Sequence, residues 1–303
     1  MTYEEKLRQL TEQNPDIVVL TAENRAPMRN LAPMLGDRFV DVGIAEQTMV
    51  GAAAGLALRG RIPIVHAFSS FLTMRAFEFI RTDVGVGGLP VKLFGAMSGF
   101  LSEANGPTHQ ALEDISIMRG IPGMQVVCPS DAEDLVNAMD RIVASPNPCY
   151  VRYTSAPPVV NRVTEFEFGK AETIIKGKDL TILTYGFLLR EAVKAAELLE
   201  AEDISVRLLN LRSLKPIDEP AILRATAETG LLVTIEDHFL TGGLFSILSE
   251  LLTRNRIACD VLPIALENRW FKPALLSEAL EFEGFTAPQL AARILDRFKS
   301  SQP

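Results

Sequence analysis

Short runs of apolar and β-branched residues alternate along this chain with longer stretches whose apolar positions recur every three or four residues. Residues 16–21, 62–68, 90–95, 124–128, 149–153, 180–184, 204–209, 231–235 and 259–264 read as buried strands. Residues 3–13, 46–59, 72–81, 132–144, 189–199 and 242–252 between them read as helices. Some helix starts are marked. Ser130-Asp131 precedes one, and Asp218, followed by Glu219 and Pro220, is the candidate cap of another. Near-continuous apolar strands alternating with helices predict an α/β protein whose largely parallel sheets are covered by helices on both faces. The pattern breaks at Ser155-Ala156-Pro157-Pro158-Val159 and resumes at Leu180, after a charged stretch. Two domains are therefore expected, at 1–158 and 179–303, joined by a linker at 159–178.

Composition narrows the classes. The 303 residues carry 30 basic and 38 acidic side chains, a net charge of −8, and 48% are apolar. That balance describes a folded globular protein rather than a disordered one. An acidic chain without a Lys/Arg run argues against nucleic acid or an anionic membrane as partner. The most apolar segment, 49–58, is half the length of a membrane span of about 20 residues. The first ten residues hold Glu4, Glu5 and Lys6 where a signal peptide would be apolar, so the cytoplasm is the expected compartment. The cysteines at 128, 149 and 259 and the histidines at 66, 109 and 238 are scattered, so neither a disulfide framework nor a zinc site is indicated.

Common catalytic loops are missing. No GxxxxGK[ST] occurs, Gly85-Val86-Gly87-Gly88 lacks the dinucleotide spacing, and Gly95-Ala96-Met97-Ser98-Gly99 puts its serine one place late for a nucleophile elbow. Three other segments carry candidate chemistry. In Asp41-Val42-Gly43-Ile44-Ala45-Glu46-Gln47, Glu46 enters a helix rich in Gly and Ala; it is either a first-turn carboxylate favoured by the helix dipole or a buried functional acid. Phe68 and Phe71 follow a strand end, where α/β sheets bind ligands; they either stack on a flat ring or pack in the core. Asn105-Gly106-Pro107-Thr108-His109-Gln110 is a polar turn whose histidine is either solvated or a proton-transfer group. His66, inside a strand, reads as a core histidine, while His238 stays open.

Together these segments resemble the thiamine-diphosphate enzymes of the transketolase family. Gly43–Gln47 resembles the family's glutamate motif, 68–76 its aromatic segment and Gly106-Pro107-Thr108-His109-Gln110 its GPTHQ loop. Met118-Arg119-Gly120-Ile121-Pro122-Gly123-Met124 continues the likeness, and Glu236-Asp237-His238 with Gly242-Gly243 is similar to the family's second-domain strand end and helix start. The resemblance covers a pyrimidine-binding and a C-terminal domain. It implies that Glu46 hydrogen-bonds N1′ of the aminopyrimidine, with Ile44 beside it. Phe71 and Phe68 would stack on the ring, and His109, Asn105, Gln110 and Arg75 would face the sugar.

The family's GDG…N motif for diphosphate and Mg²⁺ (or Ca²⁺) occurs nowhere in the chain. The resemblance therefore implies a partner subunit carrying that motif, an α₂β₂ assembly and small sugar substrates. Two positions where the family grips a sugar phosphate fall at Met97 or Ser98 and at about Ser155, none of them cationic. A differently anchored, even nucleotide-linked, sugar is expected, with Arg75 and Arg152 as candidate anion contacts. The alternatives are a β-type subunit of a 2-oxoacid dehydrogenase, a deoxyxylulose-phosphate-synthase-like protein, or a non-catalytic regulatory relative.

Overall fold

Ile17-Val18-Val19-Leu20-Thr21 is buried at every position, as a strand covered on both faces must be. In the computed structural model, which describes residues 1–162 and 164–300, this strand (β1) is one of twelve. The others are β2 Phe39–Asp41, β3 Ile62–Phe68, β4 Lys92–Ala96, β5 Gln125–Val127 and β6 Cys149–Arg152. They continue with β7 Glu172–Ile175, β8 Leu180–Thr184, β9 Val206–Asn210, β10 Ser213–Lys215, β11 Leu231–Phe239 and β12 Asp260–Leu266. The first sheet runs β10-β5-β6-β4-β3-β1-β2 and the second β12-β11-β8-β9-β7. Every pairing is parallel except those of the edge strands β10 and β7, so the expected largely parallel sheets are present.

Two features depart from the sequence reading. The span 159–178 expected to be a linker contains β7, an antiparallel edge strand of the second sheet. Glu172 is buried there against Asn210 and Arg162, and such a polar, half-covered strand gives no apolar run to read. Conversely, β10 comes from the second half of the chain yet pairs with β5 of the first sheet, so the two units are interlocked rather than strung in sequence.

The stretch expected to be a plain helix at 72–81 is broken. A π-turn at Phe71–Arg75 is followed by a short α segment, Phe77–Phe79, and another π-turn, Ile80–Gly85. Thr73 and Thr82 donate their hydroxyls to the carbonyls of Ser69 and Glu78, four residues back, a bonding pattern that widens and bends a helix.

Between the sheets lies a buried ionic clamp. Arg152, at the end of β6, donates to both oxygens of Asp114 at 2.8 and 2.6 Å and to Asp237 of β11 at 2.5 Å. Tyr150 Oη donates to the same Asp114 carboxylate at 2.6 Å and stands 3.2 Å from Ser69 Oγ, and Ser69 is 2.7 Å from Ser98. Burial pushes both carboxyls up, but the double contact with Arg152 and the Tyr150 hydroxyl leave Asp114 below the usual range. Asp237, with a single guanidinium contact, stays above it. Gly99 permits the close fit: at φ +57° its added Cβ would stand 1.9 Å from Asp237 Oδ2.

His238 is resolved as a packing residue. It is buried, Nε2 accepts from the Ser116 amide at 3.3 Å, and Nδ1 donates to the Phe239 carbonyl at 2.6 Å. Burial lowers its pKa to about 4. His66 is buried as expected, 2.5 Å from the Tyr3 hydroxyl.

Arg152→Met should destabilise the fold by about 3–5 kcal/mol in urea titration, because it strands two buried carboxylates. An unchanged midpoint would show that the clamp carries no stability. His238, neutral in the fold down to about pH 4, contributes stability that is full above about pH 6.5 and lost as pH falls towards 4. The stability advantage of the wild type over His238→Gln should shrink by about 1.4 kcal/mol per pH unit across that window. A pH-independent difference would contradict this.

Candidate active site

The candidate residues gather over the C-terminal ends of four adjacent strands, β4, β3, β1 and β2. After β2, Asp41 accepts from the Gly43 amide at 2.8 Å and folds the chain into a turn, with Gly43 at φ +70°. The turn exposes Ile44, 72% accessible, and starts the helix Glu46–Leu58. Ala45 caps that helix without a side-chain hydrogen bond, so the first-turn carboxylate of Glu46 is the local anion at its positive end. Glu46 is only 2% exposed. The two readings of Glu46 therefore merge: it is both the dipole partner and a buried acid.

Phe68 closes β3, and Phe71 opens the first π-turn, 6.0 Å away between ring centroids. His109 meets the Phe71 ring edge-on at 5.0 Å and Phe68 at 6.2 Å, with its Nδ1 2.9 Å from the Thr108 hydroxyl. Phe68, Phe71 and His109 are all partly exposed, so the aromatics form a ledge rather than core. Arg75 joins the carboxylate to the ledge. Its Nη1 donates to Glu46 Oε2 at 2.9 Å, and its guanidinium lies 4.2 Å from the Phe71 ring centroid. Phe71 and Arg75 stand four residues apart at the two ends of this π-turn, which puts them on one face.

Other expected contacts are placed differently. Gln110 is buried and donates to the Phe271 carbonyl at 2.8 Å, which ties its loop to the second unit. Arg152 belongs to the clamp and is 5% exposed, so it is no free anion contact. Arg75 is engaged by Glu46. Asn105 is exposed, its amide 3.5 Å from Met97 Sδ. Met97 is exposed, Ser98 is buried on Ser69, and Ser155 is exposed. Asp114, which the sequence reading passed over, anchors the site from behind. Its only local sign was a carboxylate in a helix first turn, while its partner Arg152 stands 38 positions away.

A family model described as the transketolase pyrimidine binding domain matches residues 1–156, and one described as the transketolase C-terminal domain matches residues 169–290. The chain belongs to the transketolase family. Among its relatives is the 6-deoxy-6-sulfo-D-fructose transketolase subunit SqwH of Clostridium sp. (strain MSTE9), 39% identical over 258 residues, covering 84% of this chain and 80% of that one. Another is an apulose-4-phosphate transketolase subunit from Phocaeicola vulgatus, 36% identical over 272 residues, with 88% and 87% covered. The structure is similar to a split gene transketolase, solved as an inactive β4 tetramer, with TM-score 0.89, 33% identity, and 99% and 98% of the two chains covered.

Within this transketolase fold, the arrangement suits a flat cationic or hydrogen-bonding ring. The helix start supplies a buried carboxylate, the ledge supplies a stacking face, and His109 places an imidazole at its edge. No hydrogen bond to Glu46 Oε1 is made among the described residues, which leaves that oxygen able to accept from a ring nitrogen.

Proposed function

We propose that this chain is one subunit of a thiamine-diphosphate-dependent transketolase that moves a two-carbon ketol unit between sugars. The observation that carries the reading is Glu46: a buried carboxylate at a helix start, joined through one stack to Phe71 and His109. The residues fit the pyrimidine half of the cofactor. Glu46 would hold the ring nitrogen, Phe71 with Phe68 would hold the ring face, and Ile44 would border it. The diphosphate and its Mg²⁺ or Ca²⁺ are assigned to a partner subunit with a GDG…N motif, in an α₂β₂ assembly. The names of the relatives, each a transketolase subunit, support this division.

When bound, thiamine diphosphate supplies the electron sink for the transfer. The chain's own residues do the rest. Glu46, shielded from water and fixed to a rigid helix, makes a charge-assisted hydrogen bond whose strength does not depend on solvent reorganising. His109 stands at the ledge, where it can take or return a proton at a sugar hydroxyl. Asn105 lies on the same exposed loop as a further donor to the sugar.

Arg75 holds the two groups the pyrimidine would use, one oxygen of Glu46 and a face of Phe71. A ring stacking on that face of Phe71 would have to move it aside. Arg75 is 39% exposed, so its long side chain has room to leave.

Glu46→Gln should lower ketol transfer by the reconstituted complex by about 10²–10⁴-fold, read as kcat with saturating cofactor. Normal turnover in that variant would defeat the reading. Arg75→Ala should tighten thiamine diphosphate binding about three- to tenfold in calorimetry of the complex, as a competing charge-assisted hydrogen bond is removed. Weaker binding would show that Arg75 holds the cofactor instead of standing in its place.

A further inference from the structure

Beside the aromatic ledge lies a cavity of about 650 Å³. Its walls come from both units: Phe68 and Met97 from the ends of β3 and β4, Pro157 after β6, and Phe187 and Arg190 from the segment that follows β8. Most of this lining is apolar, and Met97 and Ser155 leave the first unit without a cation there. Arg190 supplies one. Its guanidinium lies 5.0 Å from the Phe187 ring centroid, and Nη2 reaches the Pro157 carbonyl at 3.5 Å. Among the described residues it forms no ion pair, unlike the clamp arginine Arg152.

Two further side chains define what this cavity accepts. Asn24, 6% exposed, lines the wall, and its buried amide nitrogen has no hydrogen-bond partner. Buried donors are nearly always satisfied, so an unmet one beside a cavity points to an acceptor brought by a ligand. Glu23, on an exposed stretch of the same wall, contributes one negative charge. It accepts hydroxyls and repels surplus anionic charge.

We propose that this cavity receives the far end of the sugar, and that Arg190 selects substrates ending in a singly charged anion, a sulfonate or a carboxylate. The proposal rests on the ketol-transfer reading for the near end of the same substrate. One guanidinium on an apolar floor matches one negative charge through a forked, charge-assisted contact. A phosphate dianion brings a second charge that meets Glu23 and no further cation in this chain's lining, which selects against it. Asn24 donates to an oxygen of the anion or to the hydroxyl next to it. Arg190 thus acts from the C-terminal unit as the specificity residue of a site whose chemistry lies in the other.

The test uses the complex with its partner and aldoses of one length ending in sulfonate, carboxylate, phosphate or a free hydroxyl. Wild type should favour the sulfonate and carboxylate over the phosphate. Arg190→Ala should lower kcat/KM for the sulfonate-ended aldose about tenfold or more, through KM, and leave the hydroxyl-ended one within about twofold. Arg190→Lys should keep part of the preference, as a charge without the fork. An unreactive alditol sulfonate, titrated into the complex by calorimetry, should bind about tenfold more weakly to Arg190→Ala. An unchanged ratio of charged to neutral substrates, or a wild-type preference for phosphate, overturns the proposal. A wild-type complex that transfers no ketol unit to any aldose, yet binds the alditol sulfonate through Arg190, upholds the anion site and overturns the ketol-transfer reading.

Discussion

Everything at the site hangs from one buried guanidinium. Arg152 ties Asp114 of the first unit to Asp237 of the second, with Tyr150, Ser69 and Ser98 completing the hydrogen bonds behind it. A charge in that position is tolerable only because its N–H groups meet carboxylates in good geometry; with either partner missing, burial would cost several kcal/mol. The clamp therefore accepts little relative movement of the two sheets. Ser69 follows Phe68 directly, and Gly99 touches Asp237, so the aromatic ledge and the approach to the His109 loop are set by the same contacts.

That rigidity explains how a site can be assembled from loops. The carboxylate comes from a helix start, the aromatics from a strand end and a π-turn, and the histidine from the loop after β4. Each loop leaves the C-terminal edge of the same sheet, which brings rings from segments distant in sequence to centroid separations of 5.0 to 6.2 Å. The second unit then adds what the first lacks: Phe187 and Arg190 finish the cavity wall, and the Phe271 carbonyl holds Gln110 in place. Function is thus divided. In the proposed reading one unit carries the chemistry at the ring, and the other would shape where the rest of the substrate lies.

Much of this was legible beforehand. The strands β1, β3 and β8 announce themselves as near-continuous apolar runs, because a strand buried on both faces has no polar side to show. The GxxEQ turn, the paired phenylalanines and the GPTHQ loop are local patterns, readable without knowing the tertiary contacts. Strand β7 was hidden by its charge, and β10 by its pairing with a strand from the other half of the chain. The π-turns were invisible because a helical periodicity looks alike with or without one extra residue per turn.

The sequence by itself determined the class of fold, the family and the motifs of the candidate site, since these follow from local periodicity and from contiguous patterns. Only the tertiary structure decided what each charged group does. Arg75, Arg152 and Arg190 are equivalent in the sequence, three cations that could meet an anion. Folding pairs the first with Glu46, buries the second between two aspartates, and leaves the third without a carboxylate at a cavity wall. The reason is physical. A charge takes its role from the nearest counter-charge and from the water it has lost, and both are set by residues far away along the chain.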